Sequence, residues 1–290
     1  MRLLLALLLA CATPAFATLN LLVSTADLGA LAREVGGDGV KVEVIASPDR
    51  DPHYLEAKPS YMLKASRADL VFSNGLELEV GWLPPILKGG RNPKVLPGTH
   101  GFLEAGTLIT PLELPTGTVS RADGDVHPNG NPHFMLDPIR AGEVALGLAE
   151  RLAELDPAKA DAYKERAQAL QKRLKDKAEL WQKRITASGV TQAFTYHKTL
   201  VYFFDRFGLK NVGNLEPKPG IPPTAAHLLE LAKVAKDKQV KLCLVEHYFD
   251  LGAADKLASA APGLRVVKAV VMSNDLDATY EALVAQLEGK

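Results

Sequence analysis

The sequence predicts an α/β protein of two domains, each a mostly parallel sheet covered by helices, with one long rigid helix joining them and a binding site in the interdomain cleft. Three observations carry the architecture. Apolar runs of strand length alternate with amphipathic runs of helix length at both ends of the chain, the pattern of a parallel sheet clothed on both faces. A charge-dense stretch with apolar residues at helical spacing separates the two regions. The length, about 270 residues once a leader is removed, suits two domains.

The chain opens with "MRLLLALLLACATPAFA", one basic residue, a short apolar run and a small-residue A-x-A ending at Ala17. Residues 1–17 therefore read as a secretory signal peptide, with lipid attachment at Cys11 as the rival. No later segment approaches the roughly 20 apolar residues of a spanning helix, so an exported, soluble mature chain is expected. Without Cys11 the one cysteine is Cys243, in the apolar run "VKLCLVE", where a buried inert thiol is expected. With 34 Lys and Arg against 34 Asp and Glu, the charge balance argues against a nucleic-acid or anionic-surface partner.

The first domain is expected over 18–138. "TLNLLVSTADLGALAREVGGDGVKVEVIAS" reads as strand, helix from Asp27 to Val35, a glycine turn and a strand from Val40 to Ile45. "SYMLKASRADLVFSNG" repeats helix and strand, and a helix around "EVGWLPPILKGG" is followed by "KVLPG". From Ile109 to Pro132 periodicity is lost, which predicts a long surface loop leading into His133. The segment 139–186 is expected to be the helical connection, punctuated where Asp156 can cap and Pro157 can sit at a first helical position. Ala162 to Ile185 alone would make a rod of about 36 Å. The α/β pattern restarts over 187–290 with "VTQAFTYH", helix "LVYFFDRFG", "PPTAAHLLELAKVAKDKQ", strand "VKLCLVE", helix "LGAADKLASAA", strand "LRVVKAVV" and a terminal helix. Open α/β sheets bind ligands outside the carboxyl ends of their strands.

Three histidines sit at such ends or in stiffened loops. His53 follows the strand leading into "DPHYLEAKPS", His133 lies between two prolines in "GNPHFMLDP", and His197 follows "AFTY". Each alone is weak evidence; a loop imidazole is more often solvated or hydrogen-bonded than a ligand. Together they suit one transition-metal ion: three imidazole nitrogens and one carboxylate oxygen fill a tetrahedral zinc shell.

"DPHYLEAKPS", "GNPHFMLDP" and "YHKTLVYFFDRFGL" resemble, in order and wording, the periplasmic zinc and manganese binding proteins of ABC importers, the cluster A-I family, over essentially the whole mature chain. The resemblance implies two domains bridged by a rigid helix, a monomer that captures Zn2+, with Mn2+ or iron as alternatives, and delivery to a membrane permease. It implies no enzyme. His53, His133 and His197 match the family's histidine ligands. His197 stands where manganese members carry a glutamate, and a nitrogen-rich set favours zinc.

The fourth ligand has two candidates. Asp275, after "VVKAVVMSN", matches the place of the family's carboxylate despite a shortened loop, and Glu246 ends the strand "VKLCLVE" as the alternative, or orients His197 by a hydrogen bond. Asp277 is then the expected cap of the terminal helix. His127, the one histidine of the loop "LPTGTVSRADGDVHPNGN", is expected to be solvated; His100 and His227 are expected to be structural or exposed, and Glu216 has no assigned role. Two rival functions remain, a chelate-binding protein and a secreted metallohydrolase, the latter without an H-E-x-x-H or G-x-S-x-G motif.

Overall fold

The computed structural model describes residues 18–117, 119 and 124–289, so the leader and Cys11 lie outside the described residues. Two four-stranded, all-parallel sheets form the framework. The first contains β1 (Leu19–Val23), β2 (Val40–Val44), β3 (Leu70–Ser73) and β4 (Phe102–Glu104) in the order β2-β1-β3-β4. The second contains β5 (Gln192–Thr195), β6 (Lys210–Asn214), β7 (Leu242–Glu246) and β8 (Arg265–Ala269) in the order β6-β5-β7-β8. Each half thus repeats one topology, in which the first strand lies between the second and the third. That switch point is where a doubly wound sheet opens a crevice.

The strands form where apolar, β-branched runs can be buried on both faces, as in "LVFS" of β3 and "LCLVE" of β7, every residue of which is buried. Two strands depart from the sequence reading. At "KVLPG", Pro93–Val95 form a 3-10 turn whose entry Asn92 accepts a hydrogen bond from the Lys94 amide, and the sheet's last strand comes later, at β4. β6 is the edge strand "KNVGN", whose Gly and Asn carry little strand propensity; pairing with β5 holds it in place.

Helices α1 (Ala26–Gly36), α2 (Pro59–Arg67) and α3 (Leu83–Gly90) serve the first sheet. Helices α6 (Val201–Phe207), α7 (Ala225–Asp237), α8 (Gly252–Ala260) and α9 (Leu276–Glu288) serve the second. Between them run α4 (Pro138–Leu155) and α5 (Ala160–Ser188). The helical connection folds back on itself at Asp156, where Pro157–Lys159 make a 3-10 turn, so that α4 packs along α5 and the 29-residue α5 spans from α1 to α9.

The buried face of α5, Tyr163, Ala167, Leu170, Leu174, Ala178, Trp181 and Ile185, recurs every three or four residues and enters a core that also takes in Leu21, Leu28 and Phe72 from the first half and Leu244, Tyr280 and Leu283 from the second. One apolar core therefore continues through both halves. Each large side chain fully buried there contributes about 1.5 to 3 kcal/mol. Cross-links reinforce it: the Tyr280 hydroxyl donates to the Met135 carbonyl at 2.6 Å, and the Tyr202 hydroxyl donates to that of Asn131 at 2.7 Å. Among the described residues, no helix is long and apolar enough to cross a membrane.

Candidate metal centre

The stretch "GNPHFMLDP" shows how local chemistry presents one imidazole. Gly130 adopts φ +100°, and a Cβ there would come within 2.7 Å of the Pro111 side chain and 2.9 Å of the Leu112 carbonyl, so glycine is required. The Asn131 side chain accepts from the His133 amide at 3.0 Å and donates to the Lys198 carbonyl at 2.9 Å. That ties the His133 loop to the loop that carries His197. Downstream, fully buried Asp137 caps α4 through the Ile139 amide and receives Arg140 at 2.6 Å and Arg206 at 2.7 and 2.8 Å.

His53 stands in the loop after β2, and Asp51 fixes it twice, accepting from its amide at 2.9 Å and from its Nδ1 at 2.7 Å. The Pro52 carbonyl accepts from the buried Trp82 indole at 2.9 Å, which anchors the loop from below. His197 follows β5 directly and enters a 3-10 turn, Lys198–Leu200, ahead of α6. Its Nδ1 donates to Glu216 at 2.7 Å, and Glu216 also accepts from the Gly220 amide at 2.9 Å. Sequence reasoning gave Glu216 no role, since a carboxylate among prolines carries no local signal of the ring it will meet.

His53, His133 and His197 converge. Their ligand nitrogens all lie within 4.8 Å of one another, the one such His/Cys/Asp/Glu group among the described residues, and the ring centres stand 5.2, 5.2 and 5.5 Å apart. An ion held by imidazoles at about 2.0 to 2.1 Å lies about 3.2 Å from each ring centre, which puts the ring centres of a tetrahedral shell about 5.2 Å apart. With Nδ1 engaged on His53 and His197, the distal nitrogens are left for an ion, and the Nε2 atoms of His53 and His133 are buried without a hydrogen-bond partner. Unpaired buried polar atoms cost about 1 to 3 kcal/mol each, a cost an ion would remove.

Electrostatics favour the neutral, metal-ready form of His133. Burial, and then the neighbouring His53, His197 and His127, hold His133 well below the usual histidine range. Burial opposes ionisation of Asp51, yet the hydrogen bonds and charge of His53 keep its carboxyl below the ordinary value, so it remains an acceptor for the ring.

The carboxylates predicted as fourth ligand do not join the group. Asp275 is exposed and caps α9, its Oδ1 accepting from the Ala278 amide at 3.0 Å while its own amide donates to Ser273 at 3.0 Å. The expected capping role of Asp277 is thereby corrected: it sits in the first turn of α9 and pairs with Lys177 at 2.9 Å and Arg173 at 3.1 Å on α5. Glu246 is fully buried at the end of β7 and accepts from the His197 amide at 3.3 Å, so it supports the backbone of His197 while Glu216 holds the ring. Burial pushes its carboxyl up to about 8.

The expectation of a solvated His127 is also corrected. The ring is largely enclosed, its centre 5.4 Å from that of His53, and it shares with His133 and His197 the wall of a cavity of about 50 Å³. The other side histidines are peripheral: His100 is exposed beside Glu154, and His227 bonds the Asn214 carbonyl at 2.8 Å. Cys243 is a buried free thiol pushed up to about 12 by burial. A larger cavity, about 820 Å³, lies elsewhere, against α3 and β4, and no histidine lines it.

Comparison with known proteins gives a consistent picture. Residues 21–287 match the family model described as "Zinc-uptake complex component A periplasmic". Among curated proteins, the zinc-binding lipoprotein AdcA of Streptococcus pneumoniae (strain ATCC BAA-255 / R6) is 24% identical over 265 residues, covering 91% of this chain and 51% of that protein. The iron-binding protein YfeA of Yersinia pestis is 27% identical over 212 residues, 71% of this chain and 63% of that one. This chain thus spans roughly half to two thirds of the length of these relatives. A crystal structure of ZnuA superposes with TM-score 0.82 at 24% identity, covering 94% of this chain and 99% of that chain, which shows a shared fold.

Proposed function

Since the chain belongs to the family of the periplasmic component A of zinc-uptake complexes, we propose that it captures one divalent transition-metal ion, zinc in preference to manganese, and delivers it to the membrane permease of an ABC importer. The observation that carries this reading is the convergence of His53, His133 and His197 from loops of both halves, with the Nε2 atoms of His53 and His133 buried and unpaired. Three borderline-soft nitrogens suit zinc, whereas manganese favours an oxygen-rich shell. The carboxylates nearest the rings, Asp51 and Glu216, are engaged as acceptors for the imidazoles.

On this reading His53, His133 and His197 are ligands, Asp51 and Glu216 orient two of them, and the chain acts as a monomeric carrier in the periplasm with no catalytic turnover. A cavity of about 50 Å³ bounded by His127, His133 and His197 takes an ion and not a haem. Iron is the second cargo to examine, because one relative is named for it.

The test is metal analysis of protein purified without chelators, followed by competition between zinc and manganese against a chromogenic chelator. One zinc per chain, held more tightly than manganese, is expected. Equal or tighter manganese binding, or turnover of ester and peptide substrates by the zinc form, would overturn the proposal.

A further inference from the structure

Resting on the capture reading, we infer that His127 supplies the fourth ligand, closing a shell of four imidazoles in the place where a carboxylate was expected. The Nε2 of His127 is buried without a hydrogen-bond partner, the same condition as those of His53 and His133. A buried imidazole nitrogen left unpaired is costly unless something binds it, and an ion is what neutral imidazole nitrogens bind. Its ring centre stands 5.4 Å from that of His53, matching the spacing among the other three.

The segment that carries it is built across both halves. The Asp125 amide donates to the Pro219 carbonyl at 2.8 Å, and the Tyr54 hydroxyl donates to the Asp125 carboxylate. Gly124 at φ +77° allows this approach, since a Cβ there would meet the Pro219 carbonyl at 2.1 Å. Among the rival donors, Asp275 caps its own helix, Asp51 and Glu216 each hold a ring through one oxygen, and Glu246 accepts from the His197 amide through Oε1 while its Oε2 is buried without a partner. His127 is outside the trio whose nitrogens lie within 4.8 Å of one another, so a shell of four imidazoles requires its ring to move inward when the ion arrives.

The experiment compares the full chain with His127→Ala and His127→Gln, using zinc competition and the visible spectrum of the Co2+ form, with and without free imidazole. Each variant should still bind one zinc, weakened by about tenfold or more, which is 1.4 kcal/mol per factor of ten. The Co2+ spectrum of the wild type should ignore added imidazole, while that of His127→Ala should shift back toward the wild type as imidazole fills the opened position. Unchanged zinc affinity in both variants, or a wild-type spectrum that itself responds to imidazole, would overturn the inference and leave three-histidine capture standing. Failure of the wild type to bind any metal would instead overturn the capture reading and this inference with it. Circular dichroism of the metal-free variants separates a lost ligand from a lost fold.

Discussion

A histidine becomes a ligand through what holds its other nitrogen. Asp51 and Glu216, each 2.7 Å from an Nδ1, fix the tautomer and orientation of His53 and His197. Asp51→Asn or Glu216→Gln should therefore weaken zinc by about 10- to 100-fold while the metal-free fold persists, as found for groups that orient metal ligands. Chelator competition measures this, and wild-type affinity in Glu216→Gln would show the ring to be held by other means. His197→Ala, losing the ligand itself, should cost more. Zinc affinity should also fall with pH, because protons compete for the same nitrogens. The sign is set by the metal-free protein: His133, held well below the usual range, and His127, lowered by burial to about 4, carry no proton to displace until the pH is low. These two rings should therefore add little to the loss near neutral pH, and an NMR titration of the metal-free protein that shows either ring protonating there would contradict their lowered values.

At the scale of elements, the start of α9 gives two acidic residues two positions apart different tasks, Asp275 as its cap and Asp277 as a partner of Arg173 and Lys177 on α5. Asp275→Ala removes an N-cap and should cost about 1 kcal/mol of stability with zinc affinity unchanged. Thermal unfolding and metal titration of one variant decide it; a large loss of zinc affinity would return Asp275 to the site. Asp275, expected as the fourth ligand, stands outside the histidine group as the cap of α9. "SND" after a strand and before a helix is equally the signature of a ligand loop and of a cap, and the two are told apart by where the segment points. β8 ends at Ala269, and the short connection delivers Asp275 to the helix amides.

The whole molecule is stiffened by its shared core. The helices α4 and α5 and the aromatic residues Trp181, Tyr202 and Tyr280 carry apolar packing from one half to the other, and His247 of the second half bonds the Pro48 carbonyl of the first at 2.8 Å. Domains joined through a large hydrophobic interface do not swing freely. Zinc should therefore be captured with little change of overall shape, and small-angle scattering of metal-free and zinc-loaded protein should give radii of gyration within about 1 Å of each other, in the manner of pre-organised binders. Zinc should raise the free energy of unfolding through mass action, by about 4 kcal/mol at a thousandfold excess over the dissociation constant. A hinge closure of several ångströms on loading would show that the shared core yields.

The sequence alone determined the α/β class, the alternation that builds each parallel sheet, the helical connection and the three histidines at strand and loop ends. These are legible because burial period, capping residues and proline-stiffened motifs act over a few neighbouring positions. It also carried the family likeness, since "DPHYLEAKPS", "GNPHFMLDP" and "YHKTLVYFFDRFGL" are local strings. Only the tertiary structure decided which groups meet across distance. Glu216 reaches His197 over 19 positions, the His127 loop is pinned to Pro219 and faces His53, and Asp275 turns from the cleft to its own helix. Such pairings depend on the register and packing of two sheets through one core, and a polar residue in a proline- and glycine-rich loop carries no periodicity from which that packing can be read.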